Sequence, residues 1–208
     1  MTERRETFRH LRQQYPEFIY HGFSITKAEQ GLTLTFDFEV PGLCRFTPQT
    51  VIPSRSFIRI SPEREAFLEN LVFHIGMIEL VSYWKAICSP RIIIKPYLLD
   101  EAQLRWWKYL YYQGQGEFFY LNGLRPDPED VVAFECSSSR RLPALTAVDG
   151  HGYLVPIGGG KDSVVTLELL SKHGPEVRPL IMNHRGATVN NDAVAGFKKD
   201  DCLILQRS

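Results

Sequence analysis

The chain has 208 residues, 44% of them hydrophobic and 23% charged, which is apolar material for one or two folded cores and excludes a disordered chain. Lys and Arg number 24 and so do Asp and Glu, so no net field draws a nucleic acid or an anionic membrane, and only a local patch is left to do so. The four cysteines, Cys44, Cys88, Cys136 and Cys202, form neither a CxxC nor a Cys/His cluster, which argues against a zinc site and a disulfide framework and for reduced thiols in a cytoplasmic protein.

The first residues, Met1-Thr2-Glu3-Arg4-Arg5-Glu6, mix both signs of charge and lead into no apolar run, so no secretory signal is expected. From Tyr20 to Pro53 apolar residues alternate with polar ones: Phe23 and Ile25, then Leu32, Leu34, Phe36 and Phe38. A period of two predicts strands of an antiparallel sheet, with turns near Gly31 and at Pro41-Gly42. Ser61-Pro62-Glu63 is a helix start, combining a capping hydroxyl, a proline at the first helical position and an acid at the positive end of the helix dipole. That helix is expected to run to about Ile87. Its apolar stretch, Leu71 to Trp84, contains His74 and Glu79 and is too short and too polar for a bilayer crossing, so it reads as a buried helix. Asp100 to Gln103 has capping-box spacing and predicts a second helix, rich in aromatics, loosened or ended by Gly114 and Gly116.

Between Leu124 and Gly152 the chain turns polar, with Pro126, Pro128, Pro143 and the run Ser137-Ser138-Ser139-Arg140-Arg141, which suggests a domain junction near residue 150. Residues 1–150 then form an α+β domain of strands followed by two helices. Beyond it the order becomes strand (153–157), glycine loop (158–160), helix (161–172), strand (177–182) and a further strand (202–205). Two apolar strands joined through a helix must run parallel, so 151–208 reads as the start of a parallel α/β sheet and the fold class as α/β. An open doubly wound domain has about five or six strands. With three candidates after residue 153, the expectation is a truncated nucleotide-binding domain of a longer enzyme.

The segment that carries chemistry is LVPIGGGKDSVVTLELL, Leu154 to Leu170. Gly158, Gly159 and Gly160 remove the side chains that would keep an anion from the backbone N–H groups, and the following helix adds orphan donors and a partial positive charge. Lys161 and Asp162 are the candidate catalytic residues: Lys161 neutralises phosphate charge and Asp162 holds a magnesium ion, while Ser163 donates a hydroxyl. Neither a Walker loop nor a dinucleotide fingerprint fits this spacing. The alternative is a plain tight turn, which three glycines alone would suggest, but Asp-Ser after them and a strand and helix on either side favour a nucleotide.

GGGKDS resembles the SGGxDS loop of the ATP-pyrophosphatase superfamily, which splits ATP into AMP and pyrophosphate. Gly158 stands where that pattern has serine, which removes one hydroxyl donor. The resemblance implies an adenine-nucleotide-hydrolase-like domain whose Gly159, Gly160, Asp162 and Ser163 hold the outer phosphates. The longer strings FHIGMIELVSYWKAICSP (73–90), GEFFYLNGL (116–124) and VPIGGGKDSVVTLELL (155–170) are similar to the N-terminal half of the UDP-N-acetylmuramoyl-L-alanyl-L-glutamate epimerases, over roughly residues 60 to 205. That resemblance implies ATP and Mg2+ as cofactors and a UDP-linked muramoyl dipeptide as substrate. The terminal glutamate would be inverted through an acyl-adenylate, because adenylation of the carboxylate makes its α-proton removable.

Proton-transfer residues are not identified. His74, Glu79 and Glu117 are polar groups in apolar surroundings, each better read as a satisfied structural residue. Trp106, Trp107 and Tyr111 have the spacing of core, although they can stack on a base. Asn183, at a strand C-terminus, is a candidate adenine contact. Arg140 and Arg141 are candidates for a substrate diphosphate, with a solvated linker preferred. Alternatives are a tRNA-modifying or amide-forming adenylating enzyme, or a nucleotide-binding fragment without catalysis. Zero net charge and the lack of CxxC argue against tRNA.

Overall fold

The computed structural model describes residues 2–29, 31–54, 64–143, 152–172, 176–183, 196–198 and 201–208. In chain order the elements are α1 (Thr2–Gln14), β1 (Glu17–Ala28), β2 (Gly31–Val40), β3 (Cys44–Phe46), β4 (Gln49–Pro53), α2 (Glu65–Trp84) and β5 (Arg91–Ile94). There follow α3 (Glu101–Gln113), α4 (Gly116–Leu121), β6 (Ala133–Cys136), β7 (Tyr153–Pro156), α5 (Lys161–Lys172), β8 (Val177–Met182) and β9 (Leu203–Arg207). The fold is α/β. The chain divides into two compact units, one of 1–23, 36–47 and 61–144, the other of 24–35, 48–60 and 145–208. The junction expected near residue 150 falls among 144–151, outside the described residues, as does the helix start at Ser61-Pro62-Glu63.

In the first unit the strand order is β6-β5-β1-β2, with β3 antiparallel on β2. β5 lies parallel to both β1 and β6, Phe18 facing Ile92 and Ile92 facing Phe134 in register. Alternation decides the faces: Phe18, Tyr20, Phe36, Phe38, Ile92 and Ile94 are buried, while Glu17, His21, Asp37, Glu39 and Arg91 point the other way. Against the apolar face α2 buries Val72, Phe73, Gly76, Met77, Leu80 and Trp84. Aromatic contacts tie the layers, Tyr20 stacking on Phe73 at 5.7 Å between centroids and Tyr111 meeting Trp84 and Phe134 edge-on at 5.2 Å each.

α2 corrects the sequence reading twice. It has 20 residues, enough in length and apolarity for a bilayer crossing, and only its inner face is buried. Leu71, Ile75 and Ile78 form an exposed stripe on its outer face. The helix is a half-buried core helix because its apolar residues occupy both faces and the sheet covers only one. The expected helix from Asp100 is present, its capping box closed by bonds of 2.8 and 2.9 Å between Asp100 and Gln103. The order "strands, then two helices" omits α1, α4, β5 and β6. α1 gives little apolar signal because it faces the unit with Phe8, Leu11 and arginine side chains.

In the second unit the order is β2-β4-β9-β8-β7. β4 is antiparallel to β2 and to β9, whereas β8 is parallel to both β7 and β9, the β7–β8 pair as the crossover through α5 requires. Gly31 has φ +143°, and a β-carbon there would stand 2.2 Å from the Ile52 carbonyl oxygen, so the start of β2 requires glycine. Val155, Ile157, Leu167, Ile181, Cys202 and Ile204 form the core under α5. Leu154 and Met182 are 55% and 49% exposed.

Candidate functional site

Gly158 to Gly160 connect β7 to α5. Ile157 ends the strand by donating from its N–H to the Leu180 carbonyl (2.8 Å), and α5 begins at Lys161. Gly159 has φ +86°, the left-handed region that costs a residue with a β-carbon about 1–2 kcal/mol. At Gly158 and Gly160 a β-carbon would meet none of the described residues within 4 Å. Lys161 and Asp162 are exposed in the first turn of α5. The Ser163 hydroxyl donates to the Gly160 carbonyl (2.8 Å) and the Thr166 hydroxyl to the Asp162 carbonyl (2.8 Å), which fixes the turn and the start of the helix.

Asn183 follows β8 directly, so it lies at the same carboxyl edge of the parallel strands as the glycine turn. Its backbone is left-handed, φ +52°, which asparagine tolerates better than most residues. Its side chain is engaged with β9: Oδ1 accepts from the Arg207 N–H (2.6 Å) and Nδ2 donates to the Arg207 carbonyl (2.9 Å). The Asn183 amide thereby continues the β8–β9 ladder past the end of β8.

The remaining candidates lie in the first unit and divide sharply. Trp107 and Tyr111 are buried, and the fully enclosed Tyr111 hydroxyl has no hydrogen-bond partner among the described residues; Trp106 is 55% exposed. His74 Nδ1 lies 2.9 Å from the Asn70 carbonyl one turn back, with its ring against Phe73 and Trp107. Glu117 is exposed, and Glu79 is half-buried and has a partner. Arg140 is exposed in the connection after β6, where it pairs with Glu69 at 3.0 Å and lies 4.9 Å over the Tyr97 ring. The Tyr97 hydroxyl donates to the same Glu69, and burial, then that hydrogen bond, push it up to about 12.

Two features escaped the sequence reading. On the polar face of the first sheet, His21 Nε2 lies 2.5 Å from Glu39 Oε2 and Lys95 Nζ lies 3.2 Å from His21 Nδ1. An ammonium can only donate, so Nδ1 is the ring atom placed to accept from Lys95 while Nε2 faces Glu39. The other is the basic inner face of α1, legible only as arginines at positions 4, 5, 9 and 12. Among the described residues no group of three His, Cys, Asp or Glu side chains could hold a metal ion.

Fold and turn together define an α/β protein with a strand, glycine turn and helix at the carboxyl edge of its parallel strands. Residues 9–207 match the model of the MurL N-terminal domain, and the chain belongs to that family. Among its relatives are proteins named UDP-N-acetyl-alpha-D-muramoyl-L-alanyl-L-glutamate epimerase. The one from Xanthomonas oryzae pv. oryzae is 38% identical over 94 residues, 45% of this chain and 20% of the relative. That from Salinispora tropica is 32% identical over 127 residues, 59% of this chain and 26% of the relative. A Micromonospora relative is 27% identical over 186 residues, 86% of this chain and 40% of its own length. The chain thus spans less than half the length of these relatives. No solved structure matches it.

Proposed function

We propose that this protein takes part in the ATP-dependent epimerisation of the terminal L-glutamate of a UDP-linked muramoyl dipeptide, in cytoplasmic synthesis of peptidoglycan precursors. The observation that carries the reading is the Gly158–Gly160 turn: a left-handed Gly159 between two glycines, at the point where a parallel strand enters a helix. Membership of the family and the printed names of the relatives support the substrate.

The residues present fit a phosphate chain. The backbone N–H groups of Gly159 and Gly160 and the first turn of α5 would hold its oxygens, and Lys161 would offset their charge. Magnesium is bound through one or two carboxylates plus phosphate oxygens, so a lone Asp162 suits it. When bound, ATP would activate the substrate carboxylate as a mixed anhydride and so make the α-proton removable. The residues of this chain bind and orient: the turn fixes the phosphates, and Ser163 donates its hydroxyl once it leaves the Gly160 carbonyl.

The test supplies ATP, Mg2+ and UDP-MurNAc-L-Ala-L-Glu and follows pyrophosphate, AMP and the D-glutamyl product. Substrate-dependent release of pyrophosphate is expected. Release without D-glutamyl product, or with tRNA in place of the dipeptide, would refute the assignment.

A further inference from the structure

α1 is bound to the first unit by arginines whose acceptors are neutral. Arg4 Nη1 donates to the Leu121 carbonyl (2.7 Å) and Arg5 Nε to the Gly123 carbonyl (2.8 Å). Arg12 donates to the carbonyls of Cys88 (2.6 Å), Asp130 (2.8 Å) and Val131 (2.9 Å). Carbonyl oxygens fix the position of a guanidinium without cancelling its charge, and Arg4 and Arg5 each spend one of five N–H donors this way. Among the described residues no ion pair joins Arg4, Arg5, Arg9, Lys85 or Arg125 to a carboxylate. In a chain of zero net charge, this is a local cationic surface.

These five cations surround two cavities that share Phe8 and Leu124 as walls. One, of about 330 Å3, adds Phe118 and Asn122 and is flanked by Arg4 and Lys85. The other, of about 260 Å3, is lined by Arg5, Arg9 and Arg125. Among the described residues neither is lined by an aspartate or glutamate. Of the nearby acids, Glu129 pairs with Lys108 and Asp130 acts on Arg12, Asp127 accepts a backbone N–H, and Glu3 and Glu6 of α1 line neither cavity. Cys88, which lines the larger cavity, is an inert group, because burial pushes its thiol up to about 12.

The arrangement selects a ligand with two parts. Three arginines around a small cavity recognise adjacent oxyanions, since guanidinium groups match phosphate oxygens in geometry and charge. A neighbouring cavity with two phenylalanines and an amide receives a flat ring with polar edges. We propose that this cleft binds a nucleoside diphosphate, the phosphates at Arg5, Arg9 and Arg125 and the base between Phe8 and Phe118. That the nucleoside is uridine rests on the function proposed above.

Calorimetry on the 208-residue chain with UDP, ADP and inorganic pyrophosphate tests this, beside R9Q/R125Q and Gly160→Ala. Arg9 and Arg125 make no hydrogen bond that holds the fold among the described residues, so the double variant should fold. UDP binding is expected to weaken with salt, to fall at least about tenfold in R9Q/R125Q and to be unchanged in Gly160→Ala. Absence of UDP binding, equal binding by R9Q/R125Q, or pyrophosphate binding as tightly as UDP would overturn the cleft. ADP competing on equal terms with UDP would sustain the cleft and count against the uridine-linked substrate. Loss of MgATP binding alone would bear on the glycine turn and leave the cleft standing.

Discussion

Gly76 of α2 lies directly beneath Tyr20 of β1: a β-carbon at position 76 would stand 2.0 Å from the phenol oxygen and 2.6 Å from the ring carbon that bears it. The closeness of helix and sheet in the first unit is set at this contact, which no neighbouring side chain can relax, since Phe36 would also be met at 2.8 Å. Gly76→Ala is expected to destabilise by about 1–3 kcal/mol, the cost of overpacking a filled core. Tyr20→Phe in the same chain should recover only part of it. A urea midpoint unchanged in Gly76→Ala would show that the helix does not sit this close.

Tyr111 offers the opposite case. Its hydroxyl is enclosed without a hydrogen-bond partner among the described residues, and burial raises it well above the usual phenol range. A buried polar group left unpaired costs about 1–3 kcal/mol, so Tyr111→Phe should leave stability unchanged or raise it. Thermal unfolding of the variant checks this, and a clear loss would reveal a partner for the hydroxyl.

Asp37 and Arg45 predict an acid-dependent term. The hydrogen bond from Arg45 holds the Asp37 carboxyl below its ordinary value, against the smaller effect of burial. A folded-state pKa below the unfolded one means stability that is present above the unfolded value and lost as pH falls through the folded one. Arg45→Gln should therefore lower stability slightly at neutral pH and change nothing once Asp37 is protonated in both states. Urea titrations of both proteins from pH 7 down into the acid range would show the two stabilities converging.

The glycine turn separates conformational need from ligand need. Gly159→Ala puts a β-carbon on a left-handed backbone and should cost about 1–2 kcal/mol of stability. Gly160→Ala meets none of the described residues within 4 Å and no left-handed φ, so its melting temperature should match that of the parent chain. If the turn cradles phosphate, the same alanine should weaken MgATP binding about tenfold or more, because the methyl group stands where oxygens approach the N–H groups. Unaltered affinity in both variants would exclude phosphate binding at this backbone.

The sequence alone determined what is local. Residues 161–172 read as a helix and 177–182 as a strand because an apolar period and a glycine turn bracket them, and Asp100 with Gln103 announced a capping box that the fold contains. The glycine turn was visible for the same reason, its six residues being consecutive. Tertiary structure decided what depends on partners distant in the chain. No periodicity says that only one face of α2 is covered, that Asn183 bonds Arg207 24 residues on, or that Arg5, Arg9 and Arg125 converge on one cavity. α1 carries mostly polar residues, and its role arises from charges bonded to carbonyls more than a hundred residues away, which the chain brings near only by folding. Local patterns survive in a one-dimensional reading because they are set by backbone geometry over a few residues; the placement of charge is not, because Coulomb forces act through space.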